Sequence, residues 1–445
     1  MTSISFKEVA QDVLDRCVAG KPPVDLPRAL LDEPSGQALF GILVEGLADR
    51  FEPSLCDIYA RLFSQAVAHT VEGVESAALV ARYQRVRRVR PISCDPQQVY
   101  VLSRVTLGAD VAVTSVLLDA AKRRFPDARI GFVGPHKNFE LFAGDPRIHH
   151  VPVAYHRGGL RERLAVWGEL KTALSTADSL VIDPDSRLTQ LGLLPVCPED
   201  RYHLFESRAY GGESDRALSE LAADWAAETF GVEGASPYIA LASPDTATGG
   251  ADPPVRGRPP GRPSGIMPNS DSKGETGSGG TRADQGVRPT MAAPYIAVNL
   301  GVGENPAKRI PDPFEAQLLA LLAETGLDLF IDKGAGGEES DRVVRAVERS
   351  GVQPTLWEGS FAGFAGIIAS SRLYVGYDSA GQHVAAACGV PLITIFTGFP
   401  VPRMFERWKP VGDHCRVIRV DRPNRGVGET LTLVKYALHA VKPVL

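Results

Sequence analysis

The spacing of apolar residues changes character twice along this chain. Up to about residue 95 they recur at helical intervals. Val9, Val13, Leu14 and Cys17 share one helix face, behind Ser5-Phe6-Lys7-Glu8, where the serine and glutamate fit a capping box. Ser54-Leu55-Cys56-Asp57, after Pro53, fits a second box and leads into Leu55, Tyr59, Leu62, Phe63 and Ala66. No strand pattern interrupts this stretch, so residues 1–95 read as a helical N-terminal region.

From Val99 the pattern becomes short apolar runs separated by helical stretches. Val99–Ser103, Ile130–Val133, Ile148–Val153 and Ser179–Ile182 read as buried strands, with helices over Val111–Phe125 and Leu160–Leu174. The same alternation returns at Tyr295–Leu300 and continues through Leu327–Ile331, Leu373–Gly376, Leu392–Phe396 and Cys415–Val420. Helices are expected between them at Phe314–Thr325, Glu338–Ser350 and Gly381–Cys388, and a last one at Glu429–Val441. Strands spaced by helices of this length imply right-handed βαβ units and parallel sheets. Between the two series, residues 244–293 are rich in Pro, Gly and Ser and poor in large apolar side chains, which predicts a disordered linker or insertion. The expected division is a helical region (1–95), an α/β domain (96–243), the linker (244–293) and a second α/β domain (294–445). Two such domains leave a cleft where their strand C-termini face each other.

Composition narrows the classes. With 48 basic and 53 acidic side chains among 445 residues, the net charge of −5 does not indicate general nucleic-acid binding. The six cysteines are scattered without a C-x-x-C pair, which favours reduced thiols over a disulfide framework or a zinc site. The amphipathic, acid-containing start does not read as a secretory signal, and no apolar run is long enough to cross a bilayer, so a cytoplasmic protein is expected. One strongly basic run, Arg82 to Arg90, reads either as a contact for an anionic membrane surface or glycolipid, which would put the protein on the inner membrane face, or as a solvated helix end.

The densest chemical signal is Tyr374-Val375-Gly376-Tyr377-Asp378-Ser379-Ala380-Gly381-Gln382-His383, running on to Cys388-Gly389-Val390-Pro391. A strand ends near Tyr377 and a helix opens near Ala380, so small residues at 379–381 let a phosphate approach the amides at the positive helix end. Asp378 is placed to accept bonds from sugar hydroxyls, and His383 to reach a diphosphate. A second reading stands beside this one: Asp378 and Ser379 as helix caps, with His383 a satisfied surface histidine.

This segment resembles the Asp-Ser-Gly-x-x-His-x-Ala-x-Ala-x-Gly-x-Pro motif of the lipopolysaccharide heptosyltransferases, glycosyltransferase family 9. Ser103-Arg104-Val105-Thr106-Leu107-Gly108-Ala109-Asp110-Val111 is similar to the family's first strand and Leu-Gly-Asp turn. Asn299-Leu300-Gly301-Val302-Gly303 with Lys308-Arg309-Ile310-Pro311 is similar to its glycine-containing loop and Lys-x-x-Pro segment. The resemblance covers residues 97–232 and 294–420. It implies a GT-B fold, two Rossmann-like domains facing a cleft, and inverting, metal-independent transfer of a sugar, a heptose in the family, from an ADP-sugar to a cell-surface glycan or glycolipid such as lipopolysaccharide core.

Carried over residue by residue, the resemblance makes Asp110 the base that deprotonates the acceptor and turns it toward the cleft. Lys308 balances charge on the departing diphosphate. Asp378 holds the sugar, the backbone at Ser379, Ala380, Gly381 and Gln382 together with His383 receives the phosphates, and Glu338 or Glu339 reaches the nucleoside. Arg187, after the strand ending at Asp183, lies on the acceptor side, where it grips an anionic acceptor or forms a plain salt bridge. No cofactor or metal is expected beyond the sugar nucleotide as co-substrate. Two departures stand out: an alanine is inserted before Asp110, and Ala380 replaces the motif's first glycine. They leave room for a changed donor or an inactive relative; a protein-modifying transferase, a sugar-nucleotide epimerase and a catalytically silent binding protein are the alternatives.

Overall fold

A computed structural model describes residues 5–243, 293–303, 305–334, 336–421 and 426–441. The stretch read as a linker, 244–293, lies outside them except for Ala293.

The chain opens with helices α1 (Phe6–Val18), α2 (Arg28–Leu31), α3 (Glu45–Ala48), α4 (Pro53–Thr70) and α5 (Ser76–Val86), with a π-helical segment (Leu39–Val44) ahead of α3. The capping box at Ser5 forms as its sequence predicts: the hydroxyl accepts from the Glu8 amide and the Glu8 carboxylate accepts from the Ser5 amide. The second expected box does not. Pro53 occupies the first turn of α4 and Glu52 its N-cap, so Ser54 lies inside the helix and no side chain caps it.

The first sheet has the order β3-β2-β1-β4-β5, built from β1 (Gln98–Leu102), β2 (Arg129–Gly134), β3 (Ile148–Pro152), β4 (Ser179–Asp183) and β5 (Tyr202–Leu204). Its helices are α6 (Leu107–Ala109), a π-helical turn (Asp110–Thr114) running into α7 (Ser115–Arg124), α8 (His136–Phe139), α9 (Leu160–Ala173) and α10 (Leu218–Phe230). The second sheet has the order β11-β10-β9-β6-β7-β8. Its strands are β6 (Tyr295–Asn299), β7 (Asp328–Asp332), β8 (Thr355–Trp357), β9 (Leu373–Tyr377), β10 (Leu392–Thr397) and β11 (Cys415–Val420). Between and after them run α11 (Phe314–Ala323), α12 (Gly337–Ser350), α13 (Phe361–Ser370), α14 (Ala380–Ala387), α15 (Pro402–Trp408) and α16 (Val427–Val441). Every described strand pair is parallel. Every residue of β1, β4, β6 and β9 is buried, as strands covered by helices on both faces must be.

Both sheets reverse their strand order once, between β1 and β4 and between β6 and β9. Side chains leaving those four strand ends converge, which is where open α/β sheets bind ligands. Two three-residue edge strands (β5, β8) and helices α10, α13 and α15 were not anticipated from the pattern.

The helical N-terminal region does not pack by itself. Phe40, Leu43, Tyr59, Phe63 and Tyr83 share one continuous core with Tyr100, Leu102, Val133, Trp167 and Leu191 of the first sheet and its loops. Tyr59 donates to the Gln190 carbonyl (3.0 Å) and Arg82 to the Gly192 carbonyl (2.9 Å). Much of the basic run is taken up by this seam. Arg82 is buried over the Tyr202 ring, Arg85 pairs with Glu199 at 2.7 Å, Arg87 with Glu206 and Asp57, and Arg90 donates to the carbonyls of Glu199 and Tyr202. No helix among the described residues is long and apolar enough to cross a membrane.

The two sheet domains touch. Arg407 is buried between them, donating to the Gly212 and Arg216 carbonyls at 2.9 Å each. Arg403 donates to the Phe51 carbonyl at 3.1 Å and pairs with Glu213. Residues of α14 pack on α6 and the π-helical turn, where Gly108 leaves so little space that an added Cβ would lie 3.1 Å from the Ala380 Cα.

Candidate functional site in the interdomain cleft

Lys308 and Asp378 face each other across the second sheet's switch point. A 3-10 turn, Pro306–Lys308, follows β6 and carries the lysine, while Asp378 directly follows β9. Their charged atoms are 2.5 Å apart, with Asp378 nearly buried and the lysine side chain one-fifth exposed. The turn is held from behind by Gly398, whose φ of +71° and 2.3 Å gap between a built Cβ and the Ala307 carbonyl exclude any other residue.

Helix α14 opens one residue after Ser379, which sits at its N-cap without making a side-chain cap bond. The capping reading of Asp378 and Ser379 is therefore not what the side chains do. Asp378 binds Lys308 and Gln382 (2.6 Å), and Ser379 turns to Tyr374 (3.3 Å) and Asn299 (3.5 Å). The first-turn amides are left for another acceptor, beside Ser379 and Ala380, which stay partly exposed. Gly381 is obligatory, because a Cβ would meet the Tyr374 hydroxyl at 2.4 Å. The alanine at 380 is accommodated because Gly108 opposes it.

Gln382 and His383 sit deeper than expected. Gln382 is fully buried, and its side chain links Asp378 to the Thr394 hydroxyl (2.8 Å) and so orients the aspartate. His383 is 8% exposed and edges onto the Trp408 ring at 5.9 Å. Burial pushes its pKa down to about 4, so it is neutral near pH 7 and brings no positive charge to a diphosphate. Glu338 is exposed and points away, lining a shallow groove with Arg309 and Arg345. Glu339 is the one that turns inward, against Gly301 and Gly334 at the ends of β6 and β7.

Asp110, preceded by the inserted alanine, opens the π-helical turn Asp110–Thr114. Its side chain is fully buried. It accepts from the Ser103 hydroxyl (2.7 Å), the Arg104 amide (2.7 Å), the Thr114 hydroxyl (2.6 Å) and the Asn138 amide (2.6 Å). Burial raises its pKa, against those four donors. A carboxylate so enclosed braces the loop after β1. Asp110→Ala is expected to lower the free energy of unfolding by about 3 kcal/mol or more in a urea titration, since several buried donors lose their acceptor at about 1 kcal/mol or more each. A loss under about 1 kcal/mol would show the brace to be idle.

On the first sheet's side, Arg104 reaches from β1 to the Pro184 carbonyl (2.5 Å) and the Ser207 hydroxyl (2.8 Å), with its guanidinium over the Trp408 ring. Arg187, half-buried after β4, lines a cavity of about 640 Å³ together with Lys7, Arg157, Arg163, Glu45 and Tyr155. Asp49, half-buried after α3 in the helical region, has its carboxyl pKa raised to about 6 by burial, with Arg187, Lys308 and Arg104 opposing the rise and Glu45 adding to it.

Comparison with known proteins agrees with this arrangement. Residues 270–434 match the family model described as glycosyltransferase family 9 (heptosyltransferase). The segment that matches this family model includes Lys308, Asp378 and α14. Lipopolysaccharide heptosyltransferase 1 of Escherichia coli (strain K12) is 32% identical over 108 residues, 24% of this chain and 33% of that protein. The chain thus spans about a third of the length of the curated relatives it matches. Among solved structures, a family 9 glycosyl transferase from Veillonella parvula aligns over 79% of this chain and 98% of that one, at TM-score 0.53 and 14% identity. The E. coli heptosyltransferase WaaC with ADP aligns over 76% and 99%, at TM-score 0.50 and 16% identity. The fold is GT-B: two Rossmann-like domains facing a cleft, with the helical region added at the N-terminus.

Proposed function

We propose that the protein is an inverting, metal-independent glycosyltransferase that moves a sugar, a heptose, from an ADP-sugar to a cell-surface glycan of the lipopolysaccharide-core kind. The observation that carries this is the uncapped start of α14 beside the Lys308–Asp378 pair, inside the segment that matches family 9. Bare amides at a helix N-terminus and an ammonium at their side are what a pyrophosphate requires. The relatives, named as lipopolysaccharide heptosyltransferase and as WaaC with ADP, support the choice of donor and acceptor. Ser379, Ala380 and Gly381 would meet the diphosphate, Asp378 the sugar, Glu339 the nucleoside, and Arg187 an anionic acceptor in the adjoining cavity. A cytoplasmic location belongs to the same reading.

Thermal-shift titration against ADP-, UDP-, GDP- and CDP-sugars tests the donor. A ligand at a hundredfold excess over its Kd stabilises the native state by about 2.7 kcal/mol. ADP-heptose is expected to raise Tm, and Lys308→Ala and Asp378→Ala to shrink that rise. No response to any member of the panel would remove the transferase reading. A second reading, a sugar-nucleotide-binding protein without transfer activity, draws on the enclosure of Asp110, the residue that the resemblance makes the base.

A further inference from the structure

The helical N-terminal region lies outside residues 270–434, the segment that matches family 9, yet it forms part of the wall of the 640 Å³ cavity. Lys7 of α1, Gln37, Phe40 and Glu45 come from that region, and Val105, Thr106 and Arg187 from the loops after β1 and β4. The cavity therefore lies at the switch point of the first sheet, where open α/β sheets bind ligands. It also adjoins the donor side. Thr106 is two residues before Gly108, whose added Cβ would lie 3.1 Å from the Ala380 Cα at the start of α14.

The helical region is seated here without slack. A Cβ at Gly159 would meet the Pro34 carbonyl at 2.4 Å, and one at Gly36 the Gly158 carbonyl at 3.2 Å. Arg163 locks the seam: it lies over the Phe40 ring at 4.0 Å and donates to the Gly158 carbonyl (2.9 Å) and the Tyr155 hydroxyl (2.7 Å). Two irregular stretches of backbone line the cavity within this frame. One is the π-helical segment Leu39–Val44, and the other is Val105, a β-branched residue held at a left-handed φ of 58°. Among the described residues, four cationic side chains, Lys7, Arg157, Arg163 and Arg187, line the cavity against the single carboxylate of Glu45. Lys7 and Arg187 make no side-chain hydrogen bond or ion pair with a described residue, and the Thr106 hydroxyl, at the N-cap of α6, makes no cap bond. Unpaired cations gathered in one concavity repel each other, and an anion relieves that repulsion.

We infer that the helical N-terminal region is an acceptor-recognition element, in which Lys7 joins Arg187 in holding an anionic substituent of the acceptor, a phosphate or a carboxylate. The inference rests on the transferase reading above and gives the helical region its part in it. Arg187 offers a planar fork of donors to the anion, and Lys7 a mobile point charge. Arg163, spent on the Gly158 carbonyl and the Phe40 ring, keeps the wall in place, and Glu45 works against the bound charge. Held there, the acceptor is anchored one short loop away from the start of α14, where the donor diphosphate would lie.

The test titrates the full-length chain by calorimetry with a deacylated, heptose-deficient lipopolysaccharide oligosaccharide in three forms: native, dephosphorylated and carboxyl-reduced. Lys7→Ala and Arg187→Ala are each expected to weaken binding of the native form by about tenfold or more, the loss of a hydrogen bond to a charged group, with ADP-heptose affinity unchanged. Toward the form that lacks the recognised anion, wild type and both variants should bind alike, which tells phosphate from carboxylate. Glu45→Gln should tighten binding of the native form by about two- to fivefold, a gain that misfolding cannot produce. If either alanine variant binds the native form within about twofold of wild type, the shared anion site falls and the donor reading stands. Equal binding of all three forms by wild type overturns the inference in the same way. If wild type binds ADP-heptose but no form of the oligosaccharide, the acceptor site falls and the donor site stands. If wild type does not bind ADP-heptose, the transferase reading fails and the acceptor site goes with it.

Discussion

Lys308→Ala should lower kcat by about 100- to 1,000-fold, the usual loss when one preorganised donor to developing negative charge is removed. Two effects act in the same direction. On the proposed function the leaving diphosphate loses the ammonium that balances its charge, and Asp378, only 7% exposed, keeps a negative charge held by Gln382. In the ligand-free state the lysine is already spent on Asp378 at 2.5 Å, so a donor must compete for it, or share it. Lys308→Arg should restore only part of the rate, because a planar fork does not reproduce a compact point charge on this short turn. Steady-state release of ADP from ADP-heptose measures both. A folded Lys308→Ala protein within about tenfold of wild-type kcat would mean that Lys308 serves only to neutralise Asp378.

The largest loss of stability is expected from Arg208→Ala, at about 3–5 kcal/mol. Arg208 and Asp185 are both buried, with the guanidinium Nε 3.0 Å from one carboxylate oxygen and 3.2 Å from the other. The same guanidinium lies over the Tyr59 ring and donates to the Leu191 carbonyl (3.3 Å), so it ties α4 of the helical region to the loops after β4 and β5. Removing it strands the Asp185 charge in the interior. A urea titration reads the cost, and adding Asp185→Asn to Arg208→Ala should recover part of it, because the stranded charge is then gone. If the double variant is no more stable than the single one, packing of the arginine stem over Tyr59 is the larger contribution.

Much of the fold is legible in the chain. The buried runs that become β1, β2, β4, β6, β9 and β10 announce themselves, because a strand covered on both faces is predominantly apolar. Strands β5 and β8 do not. Three residues at a sheet edge are too few to set a period, and all three residues of β8 keep part of their surface exposed. Helix α13, Phe-Ala-Gly-Phe-Ala-Gly-Ile-Ile-Ala-Ser, has glycines at two inner positions and low helix propensity, and forms because it buries Phe364, Ile367 and Ile368. The Arg82–Arg90 run shows the opposite failure. Charge density on a line of text looks like surface, but Arg82, Arg87 and Arg90 find their partners 109 to 119 positions away.

What the sequence determined by itself is the set of local commitments: two parallel α/β series, a helix that opens on small residues after Asp378, and the turn carrying Lys308. Each depends on neighbours a few residues apart, so period and residue type suffice to show it. What only the tertiary structure decided is which side chains share the cleft. Asp110 is enclosed by four donors, burial pushes the His383 pKa down, and Glu339 rather than Glu338 turned inward. Phe51 of the helical region meets Arg403 of α15, more than 350 residues further along the chain. Such juxtapositions follow from how three packed layers meet, and no local pattern encodes them.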